Sequence, residues 1–371
     1  MSEKTSTATP LDIQKLKNIV PLNGLMDAHL GALIAESEVC YRFAGDSLFE
    51  RGQFDRLDYF LLSGEIELEG ADGSLSLLKS RDCLTAIGSA QPRTESARVV
   101  GDAQLLLVDR ERLDELLDWS QSAEYLLVDL AGQRQRDEDA AWLETVLKSN
   151  LFLKVPPTNV EGIFECLAPL AVSAGDVILR QGELGDCCYF IKEGQAQVSR
   201  EGHSGSELIA TIGAGRCFGE DALIQQTVRN ATVTMKSDGV LLVLQKRDFL
   251  PLLKPWLADG VSLEQQQTSG AVLLDVRAQD EYGEGHLRHA VNMPLHLLYV
   301  KHRLLNRDDC YVTYCETGRR SASACFFLSK LGYKVSVLDG GLNGVAASVL
   351  GEAMTGGEYI LRDGEVVEVA S

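Results

Sequence analysis

The pattern of apolar and polar positions changes character along the chain. In FAGDSLFERGQFDRLDYFLLSGEIEL (43–68), short apolar runs are broken by glycines and charges, and the same design returns in SAGDVILRQGELGDCCYFIKEGQAQV (173–198). Every position is displaced by 130, and Ala44, Gly45, Asp46, Gly52, Tyr59, Phe60 and Gly64 recur as Ala174, Gly175, Asp176, Gly182, Tyr189, Phe190 and Gly194. Glycines at fixed offsets mark tight turns, and the period-two alternation of FIKEGQAQV predicts strand–turn–strand, so two copies of one antiparallel β domain are expected. Between them, residues 110–148 carry Leu113, Leu116, Leu117, Leu126, Leu127, Leu130, Trp142, Val146 and Leu147 at helical spacing, which predicts a helical connector. Its charged middle, RQRDEDAA, reads as a solvated helix face. Beyond residue 258 the strand-like runs AVLLDVR, CYVTYC and KVSVLD alternate with helical segments, the pattern of a parallel α/β sheet. The tail EYILRDGEVVEVA places an Asp-Gly turn between β-prone runs and predicts a hairpin.

Composition narrows the functional classes. A length of 371 residues with 45 % hydrophobic content supports several packed cores. A net charge of −19 disfavours nucleic acid and anionic membranes as partners. The opening MSEKTSTATP lacks the apolar core of a signal peptide and no apolar run is long enough for a membrane span, so a cytoplasmic location is expected. Nine cysteines without a CxxC pair, and six scattered histidines, predict neither a disulfide framework nor a metal site.

The most specific string in the repeat half is FGEDALIQQTVRNATV (218–233). Gly219 frees the backbone, Glu220 supplies an acceptor, EDALIQ can start a short helix, and Arg229 returns as a forked donor. A cyclic phosphodiester fused to a ribose needs such a set. The string resembles the phosphate-binding cassette of the β-roll cyclic nucleotide-binding domain, over roughly 151–255. That resemblance implies that Glu220 accepts the ribose hydroxyl and Arg229 holds the phosphate, with Phe218, Gly219, Asp221, Ala222, Asn230 and Ala231 completing the ligand site. It implies cAMP in preference to cGMP as the ligand, with no prosthetic group; Asn230, after the arginine, is neither of the residues that usually separate the two. Trp256 is open to two roles, capping a base or packing as a linker aromatic. Aligned at a displacement of 134, CLTAIGSAQPRTESARV (83–99) sets Ala86 opposite Glu220 and Glu95 opposite Arg229. The first copy is therefore expected to be degenerate, a structural or interface domain, with Arg93 and Arg98 nearby.

In YCETGRRSASA (314–324) an apolar strand ends, a tight loop runs from Cys315 to Arg320, and a helix begins near Ser321. The positive end of a helix dipole, loop amides around Gly318, and Arg319 and Arg320 would all lower a thiol's pKa and make it a nucleophile. Residues 259–350 resemble a rhodanese (sulfurtransferase) domain, through LLDVRAQDEYGEGHLRHAVNMPL, YCETGRRS and LGYKVSVLDGGL. By that resemblance Cys315 is the sulfur-accepting nucleophile and Glu316, Thr317, Gly318, Arg319 and Arg320 form the cradle that stabilises a persulfide. Asp275 and Arg277 belong to the scaffold, His286 is structural, and Cys310 and Cys325 are packing residues. Related phosphatase and arsenate reductase loops are one residue longer, with arginine where this chain has Ser321.

The expected architecture is multi-domain, α+β and α/β: two cyclic nucleotide-binding β-rolls (jelly-roll-like) and then an α/β rhodanese domain with a mainly parallel sheet. Its divisions fall at 1–118, a helical linker 119–150, 151–257, 258–355 and a tail 356–371. The expected function is sulfane-sulfur transfer from a small donor to an acceptor thiol or cyanide through Cys315, under cyclic nucleotide control. The alternative is a non-catalytic nucleotide sensor or scaffold acting by protein contacts; a transcription factor is disfavoured by the acidity and by a rhodanese domain standing where a winged helix would follow. The sequence allows a homodimer without fixing the oligomeric state.

Overall fold

The computed structural model describes residues 13–89, 91–133, 146, 155–202, 205–362 and 365–369. After two short helices, α1 (Ile13–Leu16) and α2 (Asp27–Glu36), the first repeat forms a five-stranded antiparallel sheet. Its strands are β1 (Glu38–Arg42), β2 (Ser47–Phe49), β3 (Leu57–Glu69), β4 (Leu75–Lys79) and β5 (Ser96–Asp109), in the order β1-β5-β3-β4 with β2 on β5. The apolar run LLLV at the end of β5 is buried on both faces of the β3–β5 ladder, where Phe60 pairs with Leu106. Burying such runs from water is the main favourable term holding the roll closed.

The second repeat folds as two four-stranded sheets: β10 (Gly205–Gly213), β9 (Gln195–Gly202), β12 (Thr232–Met235) and β7 (Val177–Leu179) in one, β11 (Cys217–Phe218), β8 (Cys187–Glu193), β13 (Gly239–Gln245) and β6 (Ala168–Val172) in the other. Helices α4 (Val160–Cys166), α5 (Glu220–Ile224) and α6 (Lys246–Leu252) flank them.

The third unit is a five-stranded parallel sheet in the order β14 (Gly260–Val261), β19 (Lys334–Leu338), β18 (Cys310–Tyr314), β15 (Val272–Asp275), β17 (Val291–Asn292). Helices α7 (Leu263–Ser269), α8 (Gln279–Glu284), α9 (Leu298–Lys301), α10 (Arg319–Lys330) and α11 (Ala347–Ala353) surround it. A short pair, β16 (His286–Leu287) with β20 (Met354–Thr355), closes one edge. The expected C-terminal hairpin is present as β21 (Tyr359–Arg362) and β22 (Glu365–Glu368); its Asp-Gly turn lies outside the described residues.

The connector departs from the expected division. Helix α3 (Arg110–Gln133) continues directly from β5 and runs through residue 118, where a boundary was expected. RQRDEDAA, Trp142 and Leu147 lie outside the described residues, and the side chains of Leu127 and Leu130 are likewise not described. Leu113, Leu116 and Leu117 pack on the first roll with Leu30, Phe60 and Leu106. Trp119 and Leu126 belong to a different buried cluster, shared with Phe164 of α4, Leu223 of α5, and Ala324 and Phe327 of α10. The indole of Trp119 donates to Val155 O at 2.9 Å. The helix is thus a structural member of all three units rather than a tether.

Candidate functional sites

In the second roll, β11 pairs with β8 and delivers the chain to Gly219, whose φ of 88° suits a residue without a side chain. A Cβ there would also stand 2.9 Å from a terminal guanidinium nitrogen of Arg229. Helix α5 follows, burying Ala222 and Leu223. Phe218 stacks on Tyr189 with centroids 5.3 Å apart, and Ala231 is buried. Glu220 stands beside the Cys217 thiol, whose pKa is pushed up by burial and by Cys188, with Glu220 adding to the effect. Arg229 is buried; it donates to Gly219 O at 2.7 Å and Cys187 O at 2.6 Å and approaches Asp186 at 3.4 Å. Those bonds aim its fork at the start of α5. Asp221 is half-buried on α5, and Asn230 is exposed with its carbonyl accepting from Arg200 at 3.2 Å. Arg229 and Gly219 are thereby joined at the start of α5, while the contact of Asn230 is to Arg200 of β9.

In the third unit, β18 ends at Tyr314 and the chain turns through Cys315–Gly318 into α10. The Gly318 amide donates to the Cys315 sulfur at 3.2 Å, and the Ser321 hydroxyl lies 3.8 Å from it. The loop rests on a turn after β19, where Leu342 N donates to Cys315 O at 2.9 Å and Asn343 N to Glu316 O at 3.0 Å. Gly341 has to be glycine at that contact: its φ is 61°, and a Cβ would lie 2.5 Å from Cys315 O. Below the loop, buried Asp275 is held by Arg277 at 2.7 Å, and Arg277 also donates to Gly285 O at 2.7 Å. His286 bonds Tyr282 O at 2.9 Å and stacks on the Tyr282 ring, a structural placement.

Comparison with known proteins decides the families. The Cyclic nucleotide-binding domain pattern matches residues 43–119 and 169–255, and the Rhodanese-like domain pattern matches 260–348. The chain carries two cyclic nucleotide-binding segments and a rhodanese-like domain. It is 31 % identical over 150 residues to a cAMP-dependent protein kinase regulatory subunit of Schizosaccharomyces pombe, covering 39 % of this chain and 34 % of that one. It is 27 % identical over 214 residues to cGMP-dependent protein kinase 2 of Mus musculus, covering 55 % of this chain and 26 % of that one. The chain thus spans between a quarter and about a third of these relatives' length. The solved regulatory domain of Toxoplasma gondii PKA with cAMP is 23 % identical, covering 65 % of this chain and 90 % of that one, with a TM-score of 0.29.

The first cyclic nucleotide-binding domain corrects the expected alignment. Tyr59 bridges Ile87, as Tyr189 pairs with Phe218 in the second domain, so Gly88 matches Gly219 and Ser89 rather than Ala86 matches Glu220. Gly52 N donates to Arg93 O and Arg93 N to Gln53 O, the same exchange that Gly182, Glu183 and Arg229 make. Arg93, not Glu95, is therefore the counterpart of Arg229. It donates to Leu57 O at 2.6 Å, to Asp55 at 2.6 Å and to Gly88 O, and its side chain is wholly buried against Phe49 and Tyr59. Only four residues separate Gly88 from Arg93, against nine between Gly219 and Arg229, so the first copy keeps the arginine while its described residues there form no helix. Trp256 meets Phe326 of α10 edge-on at 5.4 Å, the packing role.

The rhodanese loop corrects a second expectation. Cys315 has no exposed surface, and its thiol is pushed up to about 12, by burial first and then by Asp114; Arg320 and Ser321 only partly oppose this. The expected lowering fails because burial outweighs it, and the two arginines are already engaged by carboxylates. Arg319 faces Glu111 at 3.2 Å, and Arg320 donates to Asp114 at 2.7 Å and forks onto Glu281 at 2.7 and 2.8 Å. Asp114 also accepts from the Thr317 hydroxyl, while Glu316 lies 3.8 Å from Arg277. Cys325 is buried as expected, but Cys310 is exposed at the start of β18. Glu111, Asp114, Asp118 and Glu281 were missed by sequence reasoning. The first three fall on one face of a helix, a legible signal, but the loop they meet lies some 200 positions away. Among the described residues, no helix is long and apolar enough to cross a membrane and no group of three His, Cys, Asp or Glu side chains is arranged for a metal ion.

Proposed function

We propose that the second cyclic nucleotide-binding domain takes cAMP in preference to cGMP, and that the rhodanese-like domain passes sulfane sulfur through a Cys315 persulfide under control of that nucleotide. The observation that carries the catalytic half is the loop: an amide donating to sulfur at 3.2 Å, at the head of a twelve-residue helix, in a matched rhodanese-like segment. Amide donors and a helix N-terminus favour a sulfur anion. In the reaction, the Cys315 proton leaves to solvent and the thiolate attacks the outer sulfur of thiosulfate. The S–S bond breaks with its electron pair on departing sulfite, leaving a Cys315 persulfide anion. Cyanide, or an acceptor thiolate, then takes the outer sulfur and returns the Cys315 thiolate. Asp221, Asn230 and the small residues Ala222 and Ala231 shape the nucleotide site around Glu220 and Arg229 in this reading. The cAMP preference rests on the higher identity to the cAMP-dependent relative.

A thiosulfate:cyanide assay with and without cAMP tests this: thiocyanate should form with wild type and vanish in Cys315→Ser. A second reading is favoured by the sealed state of Cys315, that of a nucleotide sensor acting through protein contacts. Absence of Cys315-dependent turnover with any donor, with nucleotide present, selects the sensor.

A further inference from the structure

Three side chains of the cradle, Thr317, Arg319 and Arg320, are met by one helix that continues directly from the first roll. Glu111, Asp114 and Asp118 occupy one stripe of α3 at spacings of three and four, the positions that share a helix face. Glu111 takes Arg319, Asp114 takes Arg320 Nε and the Thr317 hydroxyl, and Asp118 accepts from Ser323 at 3.0 Å. Asp114 Oδ2 reaches to 3.8 Å from the Cys315 sulfur. A carboxylate in that place offers the cradle what an anionic sulfur donor would offer, oxygen lone pairs and negative charge. It cannot itself donate sulfur.

We propose that α3 is a built-in competitor for the rhodanese-like site, with Asp114 as its anion, and that cyclic nucleotide at the second domain exposes Cys315 by drawing α3 away. The inference rests on the sulfur-transfer reading only for the identity of the excluded substrate.

Three features make the contact separable. Arg320 keeps its fork onto Glu281 when Asp114 departs, so the uncovered cradle stays formed. Beside the contact, a cavity of about 260 Å³ lined by Ala86, Arg110, Glu284, Arg277 and Glu316 leaves part of the boundary between the first domain and the rhodanese-like domain unpacked. And the first two turns of α3, which carry Asp114, are anchored to the first roll by Leu113, Leu116 and Leu117. The link to the nucleotide is the cluster in which Trp119 and Leu126 of α3 share a buried core with Leu223 of the cassette helix. Cores respond to displacement by shifting as packed units, so a rearranged cassette acts on the helix that carries Asp114.

The test is iodoacetamide labelling of Cys315, read by peptide mass spectrometry on the full chain. Asp114→Asn should label roughly 5–150-fold faster than wild type without nucleotide, the span of ordinary allosteric couplings. Saturating cAMP should accelerate wild type similarly, and Arg229→Ala should remove that acceleration while leaving the Asp114→Asn effect intact. Equal labelling of wild type and a folded Asp114→Asn overturns the inference. If that variant does not fold, hydrogen exchange of wild-type amides 110–119 decides. Faster exchange with cAMP supports release of α3; unchanged or slower exchange overturns it. Fast labelling of Asp114→Asn without thiocyanate formation would uphold the competitor and remove the sulfur-transfer reading. Full nucleotide-independent turnover by wild type would do the reverse.

Discussion

At the scale of single residues, Arg93 and Arg229 are a natural pair of controls. Both bind backbone carbonyls in the same pattern, but only Arg229 is preceded by a short helix, Glu220–Ile224. Arg229→Ala should weaken cAMP binding by about 1.5–3 kcal/mol for each charged hydrogen bond lost, as calorimetry would read. Arg93→Ala should leave that affinity and a stoichiometry of one unchanged, while stability falls by about 1–3 kcal/mol, because Leu57 O and Gly88 O lose their donor. Asp118 supplies a prediction about pH. Burial holds its carboxyl at about 7, despite hydrogen bonds from Ser323 and Ser122 and with Asp114 adding to the rise. In the unfolded chain it titrates near about 3.9. The folded state therefore binds the extra proton between those values, and stability falls as pH rises through about 4 to 7. Asp118→Asn should be the more stable protein at pH 8, by about 1–3 kcal/mol, with the advantage gone at pH 4; denaturant titrations at both values check it.

Elements show what the sequence could convey. The repeat was legible because turns need glycine at fixed offsets, and the rhodanese-like loop because strand, tight turn and helix head follow one another locally. The alignment of the first cassette was not legible. In the shortened segment between Gly88 and Arg93 the described residues form no helix to mark its register, so a fixed displacement set Glu95 in the wrong place. Helix α3 was legible as a helix and illegible as a contact. Its apolar residues announce burial, but nothing in a local pattern says that its acidic stripe meets Thr317, Arg319 and Arg320. For the same reason the lowered pKa expected of Cys315 did not follow from its own loop: burial raises it first, and the Asp114 charge that adds to the rise comes from a distant stretch of chain.

For the whole molecule, the shared core predicts cooperative unfolding. Trp119, Phe164, Leu223, Leu244, Cys315 and Phe327 sit in one buried cluster that spans α3, the second nucleotide-binding domain and the rhodanese-like domain. Domains tied only by flexible linkers melt separately, whereas a common core couples them. Scanning calorimetry should therefore give a single main transition for residues beyond the first roll, moved upward by cAMP in proportion to the logarithm of its concentration. Two resolved transitions, one of them insensitive to cAMP, would show that the core does not bind these domains together. The order of the parts has a further effect during synthesis. The carboxylate beside the Cys315 sulfur precedes it by 201 positions, and N-terminal domains fold first as a chain emerges from the ribosome. Newly made Cys315 thus enters a shelter already built, and is shielded from cellular oxidants from the moment its domain closes.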